Sequence, residues 1–169
     1  MLTGPPGCGK TTVILRLAEL LRGLRLAGFY TRELRQHGER VGFEAVGVSS
    51  GLRSPMAHVK FPSRQRVGRY GVDSGSLEPI VKAELEQPAD VDAFLIDEIG
   101  KMELLCPSFT GAVWRLLDGP VPVIATVALK GSGLIAAVKE RPDVRLVQVP
   151  VANRDEIPGE LARLLRAPD

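Results

Sequence analysis

The chain has 169 residues, enough for one full hydrophobic core and too few for two substantial domains. Hydrophobic residues make up 44% and charged residues 25%, ordinary globular usage that excludes a disordered or fibrous chain. With 22 Lys and Arg against 20 Asp and Glu, the formal charge of +2 gives no support to nucleic-acid binding driven by bulk charge.

Only Met1, Leu2 and Thr3 precede a glycine-rich motif, so the first strand is expected to be very short, or the sequence lacks residues before it. The motif is Gly4-Pro5-Pro6-Gly7-Cys8-Gly9-Lys10-Thr11, which fits GxxxxGK[ST] at every fixed position. The spacing serves polyanion binding. Glycines let backbone N–H groups converge on phosphate oxygens, and a helix beginning at Lys10 points its positive end to the same place. Lys10 is then expected to reach the β- and γ-phosphates, and the Thr11 hydroxyl to join the shell of a bound Mg²⁺. Apolar residues at helical spacing from Val13 to Leu24 predict that helix over Thr11–Leu24.

Leu26–Tyr30 reads as a strand. A polar turn at Gln36–His37–Gly38–Glu39, followed by alternating Val41, Phe43 and Ala45, predicts a β-hairpin. The Gly, Pro and Ser density of Ser49–Ser63 predicts a long loop, and Arg66–Val72 a further strand. The insertion between about Tyr30 and Val72 is therefore antiparallel, and Arg32, Arg35, Arg40, Arg64, Arg66 and Arg69 fall within it. They read as a solvated basic face, as candidates for neutralising a reacting phosphate, or, with Lys60, Phe61 and Tyr70, as thin support for RNA binding.

A helix is expected from Asp73 or Ser74 through Leu85, and Val91–Ile96 is nearly all apolar, as for a central parallel strand. Phe94-Leu95-Ile96-Asp97-Glu98 delivers two carboxylates at that strand's end, the Walker B arrangement. Asp97 is expected to hold Mg²⁺ through water and Glu98 to orient or deprotonate attacking water; alone, such a pair also reads as a solvated cap. Lys101 and Glu103 stand over this site or form an exposed ion pair. Phe109–Leu117 reads as a helix, Val121–Val127 as a buried strand, Leu134–Lys139 as a helix, Val144–Val149 as the last strand and Glu156–Arg166 as a closing helix. Thr126 is placed to bond the γ-phosphate or the attacking water, or to be a satisfied core hydroxyl. Asn153-Arg154-Asp155 lies where a nucleotide base would sit, and equally suits a cap of the final helix.

Cys8 and Cys106 make no disulfide framework, and His37 and His58 sit apart, so no metal cluster of Cys and His is expected. No apolar run approaches the roughly 20 residues of a membrane span. A cytoplasmic, monomeric protein with no membrane contact is the expectation. As a whole the pattern predicts one α/β domain over 1–169, with a mostly parallel sheet flanked by helices and the insertion at about 30–72.

These residues resemble a known family, the small nucleoside-triphosphatases related to the cancer-related nucleoside-triphosphatase. The resemblance spans nearly the whole chain. It rests on Leu2-Thr3 with the glycine-rich motif, Gly28-Phe29-Tyr30-Thr31 with Arg35, Arg40-x-Gly42-Phe43 and Val67-Gly68-x-Tyr70. Ile96-Asp97-Glu98-Ile99-Gly100-Lys101-Met102-Glu103-Leu104, the most specific run, and Asn153-Arg154 complete it. The resemblance implies a RecA-like P-loop fold with a truncated first strand here, and Mg²⁺-dependent hydrolysis of ATP, GTP and other nucleoside triphosphates with weak base preference. It places phosphate binding on Gly4–Thr11 and a second nucleotide-binding segment on Phe94, Leu95, Ile96, Asp97, Glu98, Ile99, Gly100 and Lys101. Arg32 stands where relatives often carry an acidic residue. A nucleotide or small-molecule kinase and a nucleotide-switched RNA- or protein-binding module remain the alternatives.

Overall fold

The computed structural model describes every residue except 87, 89, 151, 153 and 167–169. Its centre is a sheet of nine strands in the order β5-β6-β4-β3-β2-β7-β8-β1-β9. The parallel part comprises β9 (Val147–Gln148), β1 (Leu2–Thr3), β8 (Val123–Val127), β7 (Ala93–Ile99) and the first half of β2 (Leu26–Gln36). The second half of β2 leaves this core and pairs antiparallel with β3 (Glu39–Gly47), which is followed by β4 (Arg53–His58), β6 (Tyr70–Val72) and β5 (Arg66–Val67). The insertion therefore extends the same sheet.

Helices cover both faces of the parallel part. On one side, α1 (Lys10–Leu20) buries Val13, Ile14 and Leu17 beside α5 (Ile157–Arg166), against Ala93 and Leu95. On the other, α2 (Glu78–Val81), α3 (Phe109–Leu117) and α4 (Leu134–Glu140) pack on Phe29, Phe94 and Ile96. The period-2 alternation along β7 sends Leu95 to one layer and its neighbours Phe94 and Ile96 to the other, so this near-continuous apolar run is what a doubly covered strand requires.

The hairpin forms as predicted, with Gln36 opposite Glu39 and two positive-φ residues, His37 (50°) and Gly38 (84°), making the tight turn. The α3 range is also as predicted. Other expectations are corrected. Helix α1 stops at Leu20, and Leu21 to Gly23 turn the chain towards β2. Ser49–Ser63 is not all loop: Arg53–His58 forms β4, because β3 offers it an open edge that no local composition reveals. Arg66–Val72 is two short strands folded on each other, Val67 facing Tyr70. The helix expected from Asp73 or Ser74 begins at Glu78 and continues as a π-helical turn over Lys82–Glu86. The last strand shrinks to two residues. Strand β1 is as short as expected, yet it is not an edge: it is seated between β8 and β9.

Candidate active site

The glycine-rich motif runs from the end of β1 to the start of α1. Gly9, immediately before the helix, has φ of 100°, a left-handed conformation open to glycine at little cost. The loop is closed by the Cys8 N–H donating to the Pro5 carbonyl at 3.3 Å, with the Cys8 side chain buried beneath it. Lys10 folds back over the loop, its Nζ donating to the Gly4 carbonyl at 3.1 Å.

Strand β7 brings its carboxylates to the same place. Asp97, 1% exposed, is fixed by three hydroxyls from three elements. Thr11 Oγ1 donates to its Oδ2 at 2.6 Å, Thr31 Oγ1 on β2 to the same oxygen at 3.2 Å, and Thr126 Oγ1 on β8 to Oδ1 at 2.7 Å. Because β8 lies between β1 and β7, its end sits between the loop and the acidic pair. Thr126 is thus the satisfied core hydroxyl that was one of its two expected roles, and its acceptor is Asp97.

Glu98, the next residue, faces Lys10, with Oε2 3.5 Å from Nζ. Burial pushes the Glu98 carboxyl above the usual carboxylate range, against the opposing pull of the Lys10 charge. Glu103, on the short 3-10 turn Glu103–Leu105, is buried beneath it, and that burial pushes its carboxyl up to about 8. Gly100 separates the two acids: a side chain there would lie 2.8 Å from Glu103 Oε2 and 2.9 Å from Glu98 Oε1. The Lys101–Glu103 ion pair allowed by the sequence does not form, since Lys101 is exposed and Glu103 turns inward.

Around these groups lies a cleft of about 990 Å³ reaching from Gly7 and Lys10 to Phe43 and Val67 on the insertion. Of the six arginines singled out there, Arg32 and Arg40 line it. Arg35 is engaged by Glu33, while Arg66 and Arg69 donate to the carbonyls of Arg69 and Arg40. Arg154 lies on the other side of the loop, donating to the Cys8 carbonyl at 3.4 Å and packing over Gly9. Asn153, expected beside it, lies outside the described residues. Within the second predicted segment, Phe94, Leu95, Ile96 and Ile99 are core side chains, so that segment meets the cleft through Asp97, Glu98 and Lys101. No motif in the sequence marks Thr31 for chemistry; its signal is a polar residue just past the stretch of β2 that pairs with β7.

The sequence and the overall fold match a known group of proteins. A family model described as NTPase matches residues 1–162. The chain belongs to the NTPase family. Within it, the chain is 42% identical over 168 residues to the nucleoside-triphosphatase THEP1 of Thermofilum pendens, covering 96% of this chain and 92% of that protein. It is 36% identical over 176 residues to the cancer-related nucleoside-triphosphatase homolog of Bos taurus, covering 95% and 92% respectively. Two solved NTPase-family structures are similar throughout. The crystal structure of THEP1 from Aquifex aeolicus gives a TM-score of 0.88 at 32% identity, covering 98% of each chain. The solution structure of a human cancer-related nucleoside triphosphatase gives 0.79 at 36% identity, covering 98% of this chain and 95% of that one. No helix among the described residues is long and apolar enough to cross a membrane.

Proposed function

We propose that this NTPase-family chain hydrolyses nucleoside triphosphates with weak base preference and requires Mg²⁺. The observation that carries the reading is the convergence of Lys10, Thr11, Asp97 and Glu98 at the mouth of one loop, drawn from two elements 86 residues apart.

The loop amides and Lys10 supply fixed positive potential for the phosphate oxygens, where charge accumulates as the terminal phosphoryl group departs. Lys10 lies between its Gly4 anchor and Glu98, so binding of a triphosphate draws it towards the phosphates. Glu98 then faces the attacking water. The water oxygen bonds to the γ-phosphorus, the bond to the β-phosphate oxygen breaks, and the water proton passes to Glu98. Desolvation makes the Glu98 carboxylate a stronger base than an exposed one. Thr31 and Thr126 hold Asp97 in one orientation.

The donor set suits Mg²⁺: hard hydroxyl and carboxylate oxygens from Thr11 and Asp97, with no group of three or more His, Cys, Asp or Glu among the described residues that would cage a metal without substrate. Thr11 would hold the ion directly and Asp97 through water, and the bound ion would neutralise phosphate charge. Arg154 beside Gly9 offers a planar face that any base can stack on, which supports weak selectivity. We place the enzyme in the cytoplasm as a monomer with one nucleotide-binding domain, in keeping with two free, buried cysteines.

The test is phosphate release from ATP, GTP, CTP, UTP and dTTP, with and without Mg²⁺ and with no acceptor added. Comparable Mg²⁺-dependent rates across the five are expected. Negligible release until a specific metabolite or RNA is supplied would replace hydrolysis by one of the alternative activities.

A further inference from the structure

The cleft does not end at the reacting phosphate. On the nucleotide reading, Lys10 and Asp97 mark the place of the terminal phosphate, and Arg154, packed over Gly9, marks the side of the loop for the base. In the opposite direction the same cleft continues past Glu98 onto the insertion, over Phe43, Met56, Val67 and Met102. Its volume of about 990 Å³ is at the upper end of small-molecule sites, roughly 300–1,000 Å³.

The position of this extension is chemically specific. In-line displacement places the attacking atom opposite the leaving oxygen, on the Glu98 side, so the extension begins where the attacking atom must stand. Its floor is apolar: Phe43, Val67 and Met102 are only half-buried and pack around Tyr70 and Val72. Its rim is cationic. Lys101 and Lys130 have no carboxylate within 4.0 Å among the described residues, and Arg32 has only a long contact of 3.8 Å to Glu44. Glu33, the acid on the same rim, is already held by Arg35 and Arg40 at 2.7 and 2.8 Å. An apolar floor with unneutralised cations above it selects a compact organic anion with an apolar or aromatic body. It suits a polynucleotide poorly, because the outward arginines Arg66 and Arg69 are engaged by backbone carbonyls.

We propose that the insertion side of the cleft is a second ligand site, taking a small organic anion with an apolar body beside the terminal phosphate while the triphosphate remains bound. The proposal rests on the nucleotide reading for the identity of its neighbour. Occupancy displaces water from beside Glu98, so the ligand lowers turnover while leaving the KM for the triphosphate nearly unchanged.

The probe is 8-anilinonaphthalene-1-sulfonate, an aromatic body with one sulfonate, titrated by fluorescence with and without Mg²⁺ and a non-hydrolysable ATP analogue. The wild-type chain is expected to bind the dye saturably in both conditions, and the dye to inhibit phosphate release non-competitively. Met102→Glu is expected to weaken dye binding at least tenfold. Because Met102 packs against a small cluster, the exposed double change Lys101→Glu/Lys130→Glu provides the same reading without touching a buried residue. The opposite end of the sheet holds a second cavity of about 820 Å³, where exposed Leu164→Glu serves as the control and should leave dye binding unchanged. Displacement of the dye by the ATP analogue, or loss of binding in Leu164→Glu but not in the insertion-side variants, overturns the proposal. Failure of the nucleotide reading has a different signature: the analogue does not bind, while dye binding still depends on Met102 and the lysines.

Discussion

At the scale of single residues, Lys10 and Glu98 face each other across the same space, and the proposed mechanism gives them different stages of the reaction. On the proposed mechanism Lys10 contributes charge to substrate already in the ground state, so Lys10→Ala is expected to lose both triphosphate affinity and turnover. On the same mechanism Glu98 acts on the water, so Glu98→Gln is expected to keep nucleotide binding and to lose about 10²–10⁴-fold in kcat. Calorimetric titration with a non-hydrolysable triphosphate, beside phosphate-release kinetics, separates the two. Glu103 has a consequence for stability. Its carboxyl is raised from 4.5 to about 8 by burial, so between those values the folded chain holds a proton that the unfolded chain releases. The unfolded state binds fewer protons there, and stability falls as pH rises through that window. Glu103→Gln, which cannot ionise, is expected to flatten the decline; urea unfolding at a series of pH values from 5 to 8 measures it.

At the scale of elements, one buried acid reinforces the join between the insertion and the core that the continuous β2 and the packing of Ala45 and Met56 already make. Glu84, on the π-helical turn and fully buried, accepts N–H bonds from Gly28 on β2 at 3.0 Å and from Ser50 at 2.7 Å, as well as the Ser49 hydroxyl at 3.0 Å. It therefore joins the parallel sheet to the β3–β4 connection. Glu84→Ala strands the buried Gly28 N–H and takes the acceptor from exposed Ser49 and Ser50, whose donors water can reach, so a loss of about 1–3 kcal/mol is expected in denaturant unfolding. In the sequence this residue was one more charge in an amphipathic helix. The motifs were legible because their meaning is local: Gly4–Thr11 dictates a loop before a helix, and an apolar run ending in Asp97-Glu98 dictates a buried strand with acids at its tip. What escaped was decided by partners distant in the chain. Arg53–His58 becomes a strand only because β3 presents an edge, and Thr31 reaches Asp97 only through the β2–β7 register. The choice among the insertion arginines likewise depended on which carboxylates and carbonyls the hairpins bring within reach.

At the scale of the molecule, β1 is two residues long, yet it carries the phosphate loop and is flanked on both sides. Leu2 pairs with Thr126 and Val147, and the Thr3 hydroxyl donates to the Val127 carbonyl 124 residues along the chain. Contacts so distant in sequence are slow to close and form only after both partners exist. During synthesis, then, the loop emerges early but has no frame until β8 and β9 have left the ribosome, and α1 has no complete bed until α5 follows. A nascent chain arrested near residue 120 is expected to give no specific nucleotide crosslinking, while one released at full length binds; crosslinking to arrested and released chains compares the two. The phosphate loop is made before the strands that frame it, so its competence reports that β8 and β9 have arrived.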